Sequence, residues 1–252
     1  FTVTNQGNAV RAQVAQAYGT AAASRVKKPL RQLLGFLRLK NVKPGEKRSV
    51  HIQVPVDELA FYDVISGTLM VEEGQYEIMA GPSSASPLIS VLTDIPGQKP
   101  GLRDLEKNVS ADHYDDYENI MLTEGHLGYT AAAVKDLDHE GLLVYGNSQL
   151  KAGKKTLVLH MCAEQACSAE ITADGAVIGF WQGNTREYSV FPQMAFDERS
   201  ARDLEERIAS WKPVYSHVRV PLDIPKSLEN RPVTLTIRFK GAVKLCFFRI
   251  ED

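Results

Sequence analysis

Short segments in which hydrophobic and polar residues alternate make up most of the chain, and turn-forming residues separate them. This period-two pattern is typical of antiparallel β-strands that bury one face. Turn signals such as Pro44-Gly45 and Glu72-Glu73-Gly74 divide the first part of the chain. There we predict strands at 1–4, 11–19, 33–40, 48–54, 68–71 and 75–80, which indicates a sandwich or a barrel.

The second part of the chain has the same kind of pattern. Asp174-Gly175 stands between two alternating segments and is a strong signal for a two-residue hairpin. Short strands joined by such turns indicate a jelly roll or a related β-sandwich. We predict these strands at 120–123, 141–145, 155–162, 168–173, 176–181, 215–222, 233–239 and 243–250. The predicted domains are therefore 1–92 and 109–252, and 93–108 is a short linker stiffened by proline.

Residues 182–210 interrupt the β pattern. Within them Ala201, Leu204 and Ile208 are spaced as on one face of a helix, and acidic residues precede them. We predict one solvent-facing amphipathic helix in a long insertion. Insertions of this length are often functional, so docking against another domain and plain decoration are both open.

Composition limits the classes of function. At 252 residues the chain is long enough for two domains, and its 44% hydrophobic and 24% charged residues are typical of globular proteins. The net charge of −2 gives no basic field for nucleic acid and no polybasic surface for a membrane. The hydrophobic segments are of strand length, too short to span a bilayer.

The three cysteines, Cys162, Cys167 and Cys246, do not form a disulfide framework. Cys162 and Cys246 lie in hydrophobic strand-like segments, where a reduced, buried thiol is the expected state. A Cys162–Cys167 or Cys162–Cys246 bridge is the alternative. Unpaired thiols favour a reducing, cytoplasmic compartment.

The first residues, 1–4, already follow a strand pattern. We therefore expect this chain to be the C-terminal part of a larger protein, with another ordered segment preceding it.

Five motifs in the first part occur in a characteristic order: 3–7 (VTNQG), 33–39 (LLGFLRL), 42–46 (VKPGE), 59–63 (LAFYD) and 71–81 (VEEGQYEIMAG). This set resembles the fibronectin type III-like domain that follows the catalytic domains of glycoside hydrolase family 3. The resemblance covers residues 1–92. It implies a structural domain that packs against catalytic domains upstream in the same protein.

Motifs in the second part resemble a family 6 carbohydrate-binding module over residues 109–252. They are 110–117 (SADHYDDY), 123–125 (TEG), 127–129 (LGY), 143–145 (LVY), 152–159 (AGKKTLVL), 174–179 (DGAVIG), Trp211, 217–220 (HVRV) and 244–250 (KLCFFRI). Such modules hold sugar between two aromatic rings, and the resemblance assigns these to Tyr129 and Trp211. Aromatic rings suit the apolar C–H faces of a pyranose. A core position is the alternative for Tyr129.

The sequence departs from that pattern in two places. Lys244 stands where such modules have a sugar-binding Asn, and Lys only donates hydrogen bonds whereas Asn donates and accepts. Ser110 and Asp112 replace the acidic pair that often helps to hold a structural calcium, and calcium prefers several hard oxygen ligands. We therefore expect weak or absent glycan binding, and calcium as the only candidate cofactor.

No catalytic residues are predicted in this chain. The acidic run 114–118 is expected to be solvated surface. His113, His126 and His139 lack zinc-ligand spacing, and His160 is expected to be structural. The resemblance implies a retaining β-glucosidase or β-xylosidase whose catalytic carboxyls lie upstream, with a homodimer as a further expectation. The alternatives are a module that binds xylan or β-glucan, and a structural spacer.

Overall fold

The structure is a computed structural model that describes residues 1–164, 166–185 and 215–252. It divides into two compact units, 1–101 and 102–252. The described residues form β-strands and two short 3₁₀ helices, Val56–Leu59 and Lys226–Leu228, and among them there is no α-helix. The predicted all-β fold is confirmed.

The first unit contains eight strands: β1 (Thr2–Thr4), β2 (Arg11–Ala21), β3 (Gln32–Val42), β4 (Lys47–Ser49), β5 (Phe61–Asp63), β6 (Thr68–Met70), β7 (Gly74–Gly81) and β8 (Ile89–Ile95). A 4-stranded antiparallel sheet has the order β3-β2-β7-β8, while β1 pairs with β4 and β5 pairs with β6. The sheet buries two small hydrophobic clusters, one around Ala15 and Val50 and one around Leu34 and Tyr76.

A buried ion pair and hydrogen bonds to a second carboxylate hold the segment between β2 and β3 in place. Arg25 forms an ion pair with Asp63, whose side chain is fully buried. Glu72 accepts hydrogen bonds from the Ser24 hydroxyl at 2.6 Å and from the Arg25 backbone N–H at 3.2 Å. The Arg25 guanidinium and these hydrogen-bond donors satisfy carboxylates that would otherwise be costly to bury.

The described residues of the second unit form twelve strands: β9 (Arg103–Asp104), β10 (Val109–Ser110), β11 (Asp116–Glu118), β12 (Ile120–Glu124), β13 (Thr130–Val134), β14 (Gly141–Gln149), β15 (Thr156–Ala163), β16 (Cys167–Ala173), β17 (Ala176–Gly183), β18 (Ser216–Pro221), β19 (Pro232–Lys240) and β20 (Val243–Glu251). One sheet has the order β12-β13-β20-β15-β18, and the other has the order β11-β14-β19-β16-β17. Strand β10 is added to the first sheet and β9 to the second.

The core of the second unit lies between these two sheets. Leu159 and Phe248 from one sheet and Ile171 and Phe239 from the other belong to a single buried cluster. The hairpin predicted at Asp174-Gly175 joins β16 to β17. Both of its residues have positive φ, 47° and 82°, as a type I′ turn requires.

The domain boundary differs from the sequence-based prediction. Residues 93–95 belong to β8, which pairs with β7, and 103–104 form β9, which pairs with β14. Two parts of the predicted linker 93–108 are therefore strands, because their backbone groups complete the two units' sheets. The units divide between Gly101 and Leu102 instead. Strand β17 also extends to Gly183, inside the predicted insertion 182–210, while the predicted helix lies outside the described residues.

Candidate functional site

The outer face of the sheet that contains β15 carries a cluster of aromatic side chains. Leu159 and Met161 point into the core, so strand alternation places His160 and Cys162 on the outer face. Strand β20 has a register shift opposite β15, because Phe247 pairs with His160 and Leu245 pairs with Met161. This bulge adds Cys246 to β20 at that point.

Three rings form a row across this face. His160 in β15 is the cross-strand partner of His217 in β18 on one side and of Phe247 in β20 on the other. The His160 ring stacks on the Phe247 ring with centroids 4.7 Å apart, and the His217 centroid lies 4.6 Å from His160. Strand register alone brings these three residues together.

Two further rings cover the row. His126, in the turn between β12 and β13, places its Nδ1 atom 3.0 Å from Nε2 of His160. The Tyr215 ring stacks on His126 at 5.3 Å with an interplanar angle of 10°. We call His126, His160, Tyr215, His217 and Phe247 the histidine cluster.

Burial determines the electrostatics of the histidine cluster. His160 is only 3% exposed, and this desolvation, helped by His217 and His126, lowers its pKa to about 4. Burial also raises the pKa of the Cys246 thiol and that of the Tyr215 phenol. The Cys246 sulfur accepts a hydrogen bond from the His126 backbone N–H at 3.3 Å. These groups are therefore held in their uncharged forms at neutral pH.

Tyr129 borders the histidine cluster. It is half-buried, its ring centroid lies 4.7 Å from that of Phe247, and its hydroxyl accepts a 3.4 Å hydrogen bond from Asn108 Nδ2. An open surface depression beside it is lined by residues 122–125 and 128–130. Tyr129 is thus neither fully in the core nor free of the protein surface.

Lys244 lies on the same outer face. Its cross-strand partners are Ala133 in β13 and Cys162 in β15, and its side chain is half-buried. Tyr129 and Lys244 therefore share one face of one sheet. Trp211, the other predicted sugar-binding residue, lies outside the described residues.

Two of the residues expected near a structural calcium are hydrogen-bonded to each other. The Ser110 hydroxyl donates a hydrogen bond to the Asp112 carboxylate. Over 1–164, 166–185 and 215–252, no group of three or more His, Cys, Asp or Glu side chains could hold a metal ion. A serine and one carboxylate fall short of the several oxygen ligands that calcium prefers.

The acidic run 114–118 is not uniformly solvated, so that prediction is wrong for Asp115. Its side chain is 2% exposed, accepts a hydrogen bond from Gly146 N at 2.6 Å and pairs with Arg103 at 3.2 Å. Burial is tolerated because a cation and a backbone N–H satisfy the carboxylate. Asp116 and Glu118 are exposed.

The histidine cluster was not predicted. His126 and His160 are 34 residues apart in the sequence, and neither has a local partner. Alternation could place His160 and His217 on one face of their strands, but it could not show that these strands are neighbours.

All three cysteines are buried thiols, which is the expected state. No helix within the described part of the chain is long and apolar enough to cross a membrane.

The first unit has an exposed hydrophobic sheet face. Leu33, Tyr18 and Met79 are cross-strand partners in β3, β2 and β7, so their side chains share a face. Phe36 pairs with the β2 residue two positions from Tyr18, and Leu92 pairs with the β7 residue two positions from Met79. Phe36 and Leu92 therefore lie on the same face, and they are 67% and 57% exposed. We call these five residues the apolar sheet face.

Comparison with known proteins shows that part of the first unit matches a known domain family. Residues 13–84 match the model of the fibronectin type III-like domain. The probable beta-glucosidase H of Aspergillus flavus is 38% identical over 82 residues, which are 32% of this chain and 10% of that protein. The beta-glucosidase of Rhizobium radiobacter is 30% identical over 94 residues, or 37% of this chain and 11% of that protein.

A solved structure is similar to a larger part of the chain. The module CsCBM6-3 from Clostridium stercorarium, solved in complex with cellobiose, is 15% identical, with a TM-score of 0.43, and the match covers 60% of this chain and 98% of that one. The chain spans only about a tenth of the length of the curated relatives that it matches. What the comparisons establish is that its first unit contains a fibronectin type III-like domain, similar in sequence to regions of β-glucosidases.

Proposed function

We propose that this chain is the C-terminal, non-catalytic part of a glycoside hydrolase family 3 β-glycosidase, and that it supports catalytic domains elsewhere in the same protein. The observation that carries this proposal is the fibronectin type III-like match over 13–84, shared with β-glucosidases about ten times longer than the matched region. The names of these relatives favour a β-glucosidase over a β-xylosidase.

The apolar sheet face supports the proposal. Exposed hydrophobic residues grouped on one sheet face often mark a contact with another protein surface. Here Phe36 and Leu92 project from the two edge strands of the sheet, β3 and β8, on either side of the row that contains Tyr18. We propose that a catalytic domain of the same protein covers this face.

The first test uses the chain alone. It should not hydrolyse an aryl β-glucoside or an aryl β-xyloside, because its catalytic carboxyls would lie in other domains. Hydrolysis by a pure sample, at a rate that follows the amount of chain, would contradict the proposal.

The second test uses the intact protein that contains this chain. Phe36→Asp and Leu92→Asp should each lower its melting temperature and its glucosidase activity, since a buried carboxylate without a partner destabilises an interface. Val10→Asp is the matched control, because Val10 is also exposed, at 57%, but precedes the sheet. Equal effects from all three variants would show that the apolar sheet face is not a contact surface.

A second candidate function is glycan binding by the second unit. The observation in its favour is the position of Tyr129, half-buried beside an open depression. A sugar ring could stack on the accessible part of such a phenol ring. Lys244 on the same face could donate to a hydroxyl but not accept from one, so we expect weak affinity.

Retention on insoluble xylan or cellulose tests this candidate. Tyr129→Ala and Trp211→Ala should each abolish retention, whereas Tyr62→Ala, an exposed tyrosine of the first unit, should not. Retention unchanged by the first two substitutions would remove these residues from the site. A chain with no retention on any polysaccharide would instead be a structural spacer.

A further inference from the structure

The histidine cluster contains a hydrogen bond between two imidazole rings, and this bond forms only in some protonation states of the rings. A neutral imidazole has one N–H donor and one acceptor nitrogen, whereas a protonated one has two donors. Nδ1 of His126 and Nε2 of His160 are 3.0 Å apart, so one of them must donate and the other accept. If both rings are protonated, two donors face each other and the contact is lost.

Protonation of His126 alone, with His160 neutral, also costs free energy. His126 would then donate from Nδ1, and His160 would have to carry its own proton on its Nδ1 atom. That atom is buried and makes no hydrogen bond within the described part of the chain. A buried donor without an acceptor is unfavourable, so this arrangement costs free energy.

The surroundings of His160 give a positive charge little compensation. The groups that pack against it are His126 from the β12–β13 turn, His217 and Tyr215 from β18 and the residue before it, and Phe247 from β20. Desolvation and the two neighbouring imidazoles together lower the pKa of His160. Ionisable and charged side chains farther along the same face are Cys162, Cys246, Lys244, Tyr129, Arg219 and Arg249.

Among the residues that the structure describes, the nearby carboxylates do not compensate a positive charge on His160. Arg219 and Arg249 both pair with Glu251 in the next row of the sheet, so that carboxylate already has two cations. Glu124, at the end of β12, is exposed, and its charge acts on Tyr215. The groups nearest to a proton added to the cluster are therefore mainly other imidazoles and Lys244.

Tyr215 depends on these rings for its position. It stacks on His126 at 5.3 Å and on His160 at 5.7 Å, and it directly precedes β18. We propose that the histidine cluster is a proton-sensitive contact, which holds Tyr215 and the start of β18 on the outer face while its imidazoles are neutral and releases them when they are protonated. This inference concerns the second unit and does not depend on the proposed glycosidase role.

Amide hydrogen exchange of the peptide 215–218 tests the proposal, at about pH 7 and about pH 5, corrected for the intrinsic effect of pH on exchange. Protection should fall about tenfold or more at the lower pH, the size of one pKa unit of coupling. His160→Phe should show no such fall, because it removes the buried imidazole and keeps a ring against Phe247. His139→Gln, which changes an exposed histidine in a turn, should behave like the unmodified chain.

Two results would overturn the proposal. One is equal protection of 215–218 at both pH values in the unmodified chain. The other is a pH effect that survives undiminished in His160→Phe. If His160→Phe does not fold, His126→Gln decides the matter: His126 is exposed and its loss removes the 3.0 Å contact, so the fall in protection should be smaller than in the unmodified chain, and an equal fall would overturn the proposal.

Discussion

The Nη2 atom of Arg103 lies 3.2 Å from each carboxylate oxygen of Asp115, and both side chains are buried. Arg103 belongs to β9, at the start of the second unit, and Asp115 directly precedes β11. The guanidinium also lies 5.3 Å from the Tyr145 ring centroid in β14. The ion pair thus fixes two short peripheral strands against a long central one.

Arg103→Met should strongly destabilise the second unit. The substitution leaves the Asp115 carboxylate buried without its cation, a change that typically costs about 3–5 kcal/mol. Urea unfolding, followed by a signal from the second unit, measures this loss.

Lys107→Met is the control for Arg103→Met. Lys107 lies 3.7 Å from Asp104, but its side chain is 82% exposed, and surface pairs contribute about 0–1 kcal/mol. Similar losses from both substitutions would mean that burial of the Arg103–Asp115 pair has no special importance.

His160 should make stability depend on pH. Its folded-state pKa of about 4 lies below the value of about 6.5 for an unfolded histidine. Between these values the unfolded chain binds a proton that the folded chain does not, so its stability falls as pH falls through this window. The contribution is complete above about pH 6.5, and about 2–3 kcal/mol is lost by about pH 4.

The free energy of unfolding across this pH range checks the prediction. His160→Phe should flatten the slope while keeping a ring stacked on Phe247, and His139→Gln should leave the slope unchanged. An unaltered slope in His160→Phe would assign the pH dependence to other groups.

Gly125→Ala should disturb the turn that carries His126 and Tyr129. A Cβ at Gly125 would lie 2.5 Å from the backbone oxygen of Tyr129 and 2.8 Å from the Cys246 sulfur. Backbone atoms cannot move aside cheaply, and such overpacking typically costs about 1–3 kcal/mol. We expect a lower melting temperature together with changed chemical shifts at His160, measured by NMR.

Gly128→Ala is the control in the same turn. Nothing lies within 4 Å of a Cβ there, although the φ of +80° gives some strain. Its cost should be smaller, about 1 kcal/mol, and the shifts of His160 should remain. If Gly125→Ala is as mild as this control, the turn is not fixed by close contact with β20.

Several elements could not be predicted from local patterns. Strand β13 has the sequence TAAAV, and alanine has little preference for strands. It forms because β12 and β20 pair with it on either side. Strand β8 also lies beyond the residues predicted as strands, and its pairing with β7 places Leu92 on the apolar sheet face.

The sequence by itself determined the all-β class, most of the long strands, the hairpin at Asp174-Gly175 and the fibronectin type III-like motifs of the first unit. These features depend on alternation and turn chemistry, which act over a few residues. The tertiary structure alone decided that His126 meets His160, that Asp115 is buried with Arg103, and that Lys244 shares a face with Tyr129. Strand order and the β20 bulge join residues far apart in the chain, and no local pattern specifies such pairings.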